Sequence, residues 1–474
     1  MIDNIMSSAV IPPNLNQTYR AMSGYRKQLL RFYPDRSGAI NPQDTLRWTV
    51  PKEIMLMDTL MHYFEFTSTL AGTGTTLATG TYFPRNSASI IDTITVFING
   101  QVFENIPSYN HLFNVIYDNT AGYNYYNSGI RALECADPSI KYSTAPTAST
   151  SPITATIQGA QTGTTAAALC ENKRPLQIRN WIGFLGTCNK VLDLTNVEVV
   201  VEIRYAPAVI MWKGLDATGG TPATATPTYT IDNYYMTVQK ITFDDDYYQL
   251  AINSLKASGN YSITFKTYSM ARSASTARSS NPVLQFSTTA KWLSKLYFTF
   301  LDPSFDTMTY ILNQGADATT ATKSMSELVS NLKTNIIAFN QSRYFQKNAV
   351  DLKEVQIEIN GLPCYPFPMP PHLIKNNNFD ALDIEDNNLI GDYVGLQSLE
   401  QWNKYGFLNA ISFEHEEAWK NGIISGYPNP TQNLLNIKYT TTFNSTHTEN
   451  LYIIAFAERV VKANFFGSAV QIEM

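Results

Sequence analysis

Charge is scarce in this chain. Of its 474 residues only 15% are Asp, Glu, Lys or Arg, while 44% are hydrophobic. Soluble domains usually carry about a quarter charged residues. A surface so poor in charge keeps a free monomer poorly soluble, so partners are expected to cover much of it. Cysteine is scarce too. Cys135, Cys170, Cys188 and Cys364 lie far apart with no C-x-x-C pair, which argues against a disulfide framework and for folding in a reducing compartment. No run approaches 18 uncharged apolar residues. The two best stretches, 197–212 and 451–461, are broken by Glu202 and Arg204 and by Glu458 and Arg459, so neither reads as a membrane helix. Met1–Asn14 has no basic start followed by an apolar run, so no secretory signal is expected. The formal net charge of −5 argues against a body that wraps nucleic acid.

Catalytic signatures are missing as well. There is no G-x-S-x-G, H-E-x-x-H or G-x-x-x-x-G-K-[ST]. Gly72–Thr76 starts like a phosphate loop but lacks the lysine, and it reads as a plain loop. The five histidines, His62, His111, His372, His415 and His447, are scattered. Glu414–Glu417 around His415 reads as a solvated or interface charge run. Asp244–Asp246 and the set Asp380, Asp383, Glu385 and Asp386 match no calcium-loop spacing and read as exposed acidic loops. No catalytic, cofactor-binding or metal-binding residues are assigned, and no small-molecule substrate is expected.

What the chain does have is strand vocabulary: 28 Tyr, 24 Phe, and frequent Thr, Ser and Asn. Apolar residues alternate with polar ones in Val197–Tyr205, Lys353–Asn360 and Thr93–Asn99, the period of a strand with one face in a core. Further strand-like runs are 47–50, 60–67, 261–267, 292–300, 434–439 and 451–461. Helical spacing is limited to 324–339 and a shorter stretch at 398–405. The uncharged Thr/Ala/Ser-rich segment 143–169 reads as a long surface loop, and 215–228 as a linker.

A duplication runs through this pattern. Tyr82, Phe83 and Asn86 are echoed by Tyr344, Phe345 and Asn348. After a one-residue gap, Ile98, Asn99, Gly100, Pro107, His111 and Leu112 match Ile359, Asn360, Gly361, Pro368, His372 and Leu373 at an offset of 261 residues. An offset that long indicates duplication of a whole domain rather than a solenoid repeat. Asn-Gly supplies the two φ > 0 residues of a tight hairpin, so each copy predicts a half-buried strand that reverses there. His111 and His372 are expected to share a structural role.

The fold class that follows is all-β: two consecutive eight-stranded antiparallel jelly-roll barrels with long loops and a few short helices. The expected division is an N-terminal arm at 1–43, a first barrel at 44–214, a linker at 215–230, a second barrel at 231–465 and a tail at 466–474. The arm is the one basic segment. Arg20, Arg26, Lys27, Arg31 and Arg36 stand there against Asp3 and Asp35, a set that would make an inner-surface contact if the chain builds a shell, as the resemblance described next implies.

TYFPRNSASIIDTITVFINGQVFENIPSYNHLFNVIYD (81–118) resembles the first-barrel motif of double jelly-roll major capsid proteins of tailless icosahedral DNA viruses, the lineage of polinton-like viruses, virophages and the adenovirus hexon. VQIEINGLPCYPFPMPP (355–371) resembles the second-barrel motif, and ENLYIIAFAERVVKAN (449–464) the last strand. The resemblance implies a structural subunit, not an enzyme. It implies homotrimers of pseudo-hexagonal outline that tile the capsid facets, with penton and minor capsid proteins as partners. The arm would then face genome or an internal membrane. The competing expectation is a tandem β-sandwich module for carbohydrate binding or adhesion, with Tyr123, Tyr125 and Tyr126 stacking on sugars. A hydrolase on a jelly-roll scaffold would need converging acids or histidines, and the sequence offers none.

Overall fold

The computed structural model describes residues 25–71, 81–82, 86–120, 173–213, 226–258, 261–303, 345–382, 399–414, 426–444 and 450–473, apart from short internal breaks. The long loop at 143–169, the helix expected at 324–339 and Tyr123, Tyr125 and Tyr126 lie outside these residues. Within 398–405, Leu399, Trp402 and Asn403 are helical.

The strands fall into four antiparallel sheets and one short ladder. In the first half, β1 (Tyr25–Phe32), β11 (Thr226–Phe243), β3 (Ile54–Ala71) and β7 (Arg174–Ile178) pair in that order, with β8 (Val191–Asp193) also on β3. Facing them are β2 (Thr45–Thr49), β9 (Val199–Tyr205), β5 (Ile91–Ile98) and β6 (Gln101–Ile106). β4 (Thr81–Tyr82) and β10 (Trp212–Lys213) form the short ladder. In the second half, β12 (Ser262–Arg272), β21 (Asn450–Phe466), β15 (Trp292–Leu301) and β18 (Asn409–Ser412) pair in that order. β13 (Thr276–Ala277) and β22 (Ala469–Glu473) add to β21, and β19 (Tyr427–Pro428) adds to β15. The opposing sheet is β14 (Val283–Thr289), β20 (Leu434–Phe443), β16 (Leu352–Ile359) and β17 (Leu362–Pro363).

Eight main strands in each half follow one rule. Counted from its own start, each half pairs strands 1-8-3-6 in one sheet and 2-7-4-5 in the other. That is the jelly-roll order, and it occurs twice.

The expected boundaries do not coincide with these ladders. β1 lies in the segment expected as an arm, and β11 begins in the segment expected as a linker. Both are hydrogen-bonded into the first half's sheet, Tyr25 opposite Phe243 and Ile231 opposite Phe66. β22 lies in the expected tail and pairs with β21. The physical reason is phase. The ladder shifts register between Asp232 and Tyr235 and again between Thr237 and Gln239, and Asn233 takes φ 47°. The buried side chains therefore run Tyr229, Ile231, then Tyr234, Met236, Val238, then Ile241, and no single period-2 pattern survives over β11.

Four helices are described: α1 (Tyr109–Thr120), α2 (Phe184–Thr187), α3 (Asp246–Ala257) and α4 (Pro371–Ala381). α1 and α4 each follow one copy of the repeated hairpin. The core fills the space between facing sheets. Trp48, Phe64, Phe66, Tyr205 and Tyr229 are fully buried in the first half, and Phe298, Phe300, Trp402 and Tyr439 in the second. His62 belongs to the first core: its Nε2 is 3.0 Å from the Tyr205 hydroxyl and its ring packs on Trp48. Burial pushes its pKa down to about 4, so it sits there as a neutral ring.

Both Asn-Gly turns take the φ > 0 conformation: Asn99 and Gly100 at 50° and 77°, Asn360 and Gly361 at 51° and 80°. Each asparagine also clamps the neighbouring strand. The Asn99 N–H donates to the Glu198 carbonyl at 2.8 Å, and Asn99 Oδ1 accepts from the Glu198 N–H at 2.9 Å. Asn360 makes the same pair with Asn436, at 2.8 and 2.9 Å. We expect Asn99→Ala to lower stability by about 1–3 kcal/mol, through a lost hydrogen bond and a strained left-handed residue. Asn99→Gly should cost less, since it loses only the hydrogen bond. Thermal denaturation of the two variants tests this ranking, and equal stability of Asn99→Ala and wild type would refute it.

Candidate functional site

The repeated residues do not converge on a pocket. They build the same corner of each barrel. Asn86 is buried, and its Oδ1 accepts from the Ala88 N–H at 2.9 Å, capping the short 3-10 turn Ser87–Ile90. Ile98 and Ile359 are core residues at the ends of β5 and β16. Pro107 is half-buried and Pro368 exposed, both in the approach to the following helix. Leu112 is fully buried, whereas Leu373 is only partly so.

The expected common role of the two histidines is not met. His111 is buried and packs on Phe345, with ring centroids 5.3 Å apart. Burial, with Lys347 and Arg272 nearby, pushes its pKa down to about 3. His372 is exposed on α4. The sequence offset aligned the residues, but α1 is buried deeper than α4, so equivalent positions face different surroundings. Phe83, Tyr344 and Asn348 lie outside the described residues, and Tyr82 is described only as the backbone of β4.

The basic segment is partly ordered into β1. Arg26, Lys27 and Arg31 are exposed on this edge strand, and Arg20 lies outside the described residues. Arg31 lies over the Tyr235 ring, 3.8 Å from its centroid, and its Nη1 donates to the Tyr33 hydroxyl at 3.4 Å. Arg36 pairs with Asp44 at 3.3 Å. Arg31, Tyr33, Arg36, Tyr63, Glu65 and Tyr235 line a shallow dish of about 700 Å3. Glu65 accepts from Asn233 at 2.7 Å and Tyr63 stacks on Tyr235 at 4.7 Å. The dish's polar groups thus answer one another.

The densest chemistry lies on the seam where the two barrels meet. Phe265 of β12 stacks on Phe103 of β6 at 4.9 Å and meets Phe184 edge-on at 5.2 Å. The Lys266 N–H donates to the Thr187 hydroxyl at 2.9 Å. The Tyr261 hydroxyl donates to the Val191 carbonyl at 2.9 Å. Lys256 of α3 pairs with Asp193 of β8 at 2.9 Å, both nearly inaccessible. Burial opposes ionisation of Asp193, but hydrogen bonds from Thr195 and Lys256 hold its carboxyl below the usual range.

Behind the seam, Glu458 of β21 collects donors. Lys266 Nζ lies 2.7 Å from it, and the hydroxyls of Ser294, Tyr268 and Tyr297 each donate at 2.8 Å. Burial alone would raise its pKa, yet Lys266 and Lys295 bring it down to about 2. Glu414, expected in a solvated or interface charge run, has a buried side chain that pairs with Lys266 at 3.1 Å. His415, Glu416 and Glu417 lie outside the described residues, as do Asp244, Asp245, Asp383, Glu385 and Asp386, while Asp380 is on α4. Among the described residues no group of three His, Cys, Asp or Glu side chains could hold a metal ion. Nothing in the sequence signalled this cluster, because its members come from four separate segments.

The turns also carry exposed apolar side chains. Val102 follows the first Asn-Gly turn and is 58% exposed; Leu362 follows the second at 67%, with Phe367 close behind at 50%.

Two jelly rolls of identical strand order, joined side by side in one chain, define the double jelly-roll fold. No protein-family model matches the sequence, and no curated protein matches it by sequence. The structure is similar to that of PBCV-1 VP54, solved and fitted into a reconstruction of the virophage Sputnik. The TM-score is 0.55 at 12% identity, covering 96% of this chain and 98% of that one. A chain from the 3.5 Å structure of the Sputnik virophage gives 0.56 at 10% identity, over 95% and 88%. The Faustovirus major capsid protein gives 0.50 at 10% identity, over 98% of each chain.

Removing one member of the buried cluster should be severe. Lys266→Met is expected to cost roughly 3–5 kcal/mol by leaving buried carboxylates short of a cation. Glu458 adds a pH signature. Its folded pKa lies below the unfolded value of 4.5, so its contribution is present above about pH 4.5 and is lost as pH falls towards 2. Acid unfolding curves of wild type and Lys266→Met check both points, and superimposable curves would refute them.

Proposed function

We propose that this chain is a major capsid protein, the structural subunit that tiles the facets of an icosahedral virion. One observation carries the proposal: the duplicated eight-strand topology extends through the chain and matches capsid proteins over nearly their whole length. The low charge content fits a surface covered by neighbours. On this reading the first barrel is Tyr25–Phe243 and the second Ser262–Phe466, with α3 between them. The chain is not an enzyme and works through self-assembly in the virion, beside penton and minor capsid proteins.

Three chains form the capsomer, giving six barrels and a pseudo-hexagonal outline. A ring of this kind needs two different surfaces that close on each other. Val102, Leu362 and Phe367 suit such a contact, since they stand at corresponding turns of the two barrels. Light scattering and electron microscopy of the purified protein should show trimers and, at high concentration, lattices. Leu362→Glu with Phe367→Glu should keep the circular dichroism spectrum and lose the assemblies. A protein that stays monomeric under all conditions would overturn the proposal.

The basic N-terminal residues are proposed to contact the genome, an internal membrane or a minor capsid protein. Because β1 starts at Tyr25, deleting residues 2–24 spares the barrel while removing Arg20. Fewer filled particles are expected; normal yields would sink the idea.

A further inference from the structure

Glu104 is an anomaly on the seam. It lies on β6, is 3% exposed, and its Oε2 accepts from the Phe184 N–H at 2.9 Å. Its Oε1 is buried and has no hydrogen-bond partner. Gly183 makes this close approach possible. With φ +81° it has no side chain to offer, and a Cβ there would lie 2.7 Å from both carboxylate oxygens.

The second barrel forms the opposite wall. β12 brings Thr267 and Tyr268, and β21 brings Arg459; Tyr109 of α1 stands on the first barrel's side. Lys266 is already engaged by Glu458 and Glu414 at 2.7 and 3.1 Å. Arg459 directs Nη1 to the Thr289 carbonyl at 2.7 Å, and its Nε is buried without a partner. Arg459, whose charge reaches Glu104, is therefore aimed elsewhere, and Lys266, next to Thr267 in sequence, is committed to Glu458 and Glu414. Asp193, the other seam acid on the first barrel, differs because Lys256 and Thr195 satisfy it.

We propose that Glu104 is a proton-operated latch between the two barrels, holding the seam closed when protonated and loosening it when ionised. A neutral carboxyl suits the apolar seam of Phe103, Phe184 and Phe265, whereas a carboxylate with one bare oxygen does not. Burial raises the Glu104 carboxyl to about 7, against the weaker opposing pull of Thr267, the Phe184 N–H and Arg459. Between the unfolded value of 4.5 and about 7 the folded chain keeps a proton that the unfolded chain releases. Stability from this group is thus full below pH 4.5, falls as pH rises through that window and levels off above it. The span corresponds to a change of roughly 300-fold in the folding equilibrium. His62 and His111, held down at about 4 and about 3, make stability rise with pH up to their unfolded value of 6.5 and so oppose Glu104 over the lower part of this window. The latch belongs to the single chain and stands apart from the capsid proposal.

Hydrogen exchange and thermal denaturation of the full chain between pH 5.5 and 8.5 test it. After correction for intrinsic exchange, protection at 101–106, 183–187 and 262–268 and the Tm should fall as pH rises in wild type relative to Glu104→Gln, which keeps the shape, cannot ionise and carries the same histidines. A Glu104→Gln protein with the wild-type pH slope overturns the proposal. Should that variant fail to fold, wild type alone decides: loss of protection confined to the seam supports the latch, and an equal loss at 434–443 in the outer sheet refutes it.

Discussion

Phe265 stands on the first strand of the second barrel and lies against two rings of the first, Phe103 and Phe184. This contact makes one body of two barrels. Each jelly roll closes its own pair of sheets, but the buried cluster of the first barrel continues without a break into Tyr261, Ile263, Phe265 and Tyr268 of the second. Apolar burial at a shared wall is non-directional and roughly proportional to area. It joins the barrels without dictating their register. The hydrogen bonds from Lys266 to Thr187 and from Tyr261 to Val191, and the Lys256–Asp193 pair, supply that direction.

The seam also explains where charge is tolerated inside this molecule. Glu458 stays ionised because Lys266 and Lys295 stand beside it and three hydroxyls donate to it, whereas Glu104 has the Phe184 N–H, the weaker pull of Thr267 and Arg459, and a wall of rings. The same side-chain type thus has its pKa pushed in opposite directions at and behind the seam, and the neighbouring lysine charges decide which. Outer surfaces follow a different rule. The exposed pairs Arg47–Glu202 and Arg204–Asp92 span neighbouring strands of the first barrel's outer face at 3.4 and 3.5 Å, and such pairs contribute little stability.

Much of the fold was legible in particular residues. The alternation in Val197–Tyr205, Lys353–Asn360 and Thr93–Asn99 placed β9, β16 and β5 within two residues at each end. The Asn-Gly pairs named both turns, and their separation revealed the duplication. β1 and β11 escaped for separate reasons. β1 is exposed on nearly every residue, so it has no apolar period to read. β11 changes phase twice, at Asn233 and after Thr237. The shared hairpin was recognised, but the role of its asparagine as a clamp on Glu198 and Asn436 was not, because the acceptor is a backbone group with no sequence identity.

By itself, then, the sequence determined the class of secondary structure, the existence of two copies and the exact turn that each copy repeats. Those are local properties: side-chain period, left-handed backbone at Asn-Gly, and identities at a constant offset. Only the tertiary structure decided which strands belong to which barrel, that His111 is buried while His372 is exposed, and that Glu104, Lys266, Glu414 and Glu458 gather at one seam. These outcomes depend on which non-local segments exclude water together, and residues as far apart as Glu104 and Arg459 carry no mark of that meeting until the sheets close.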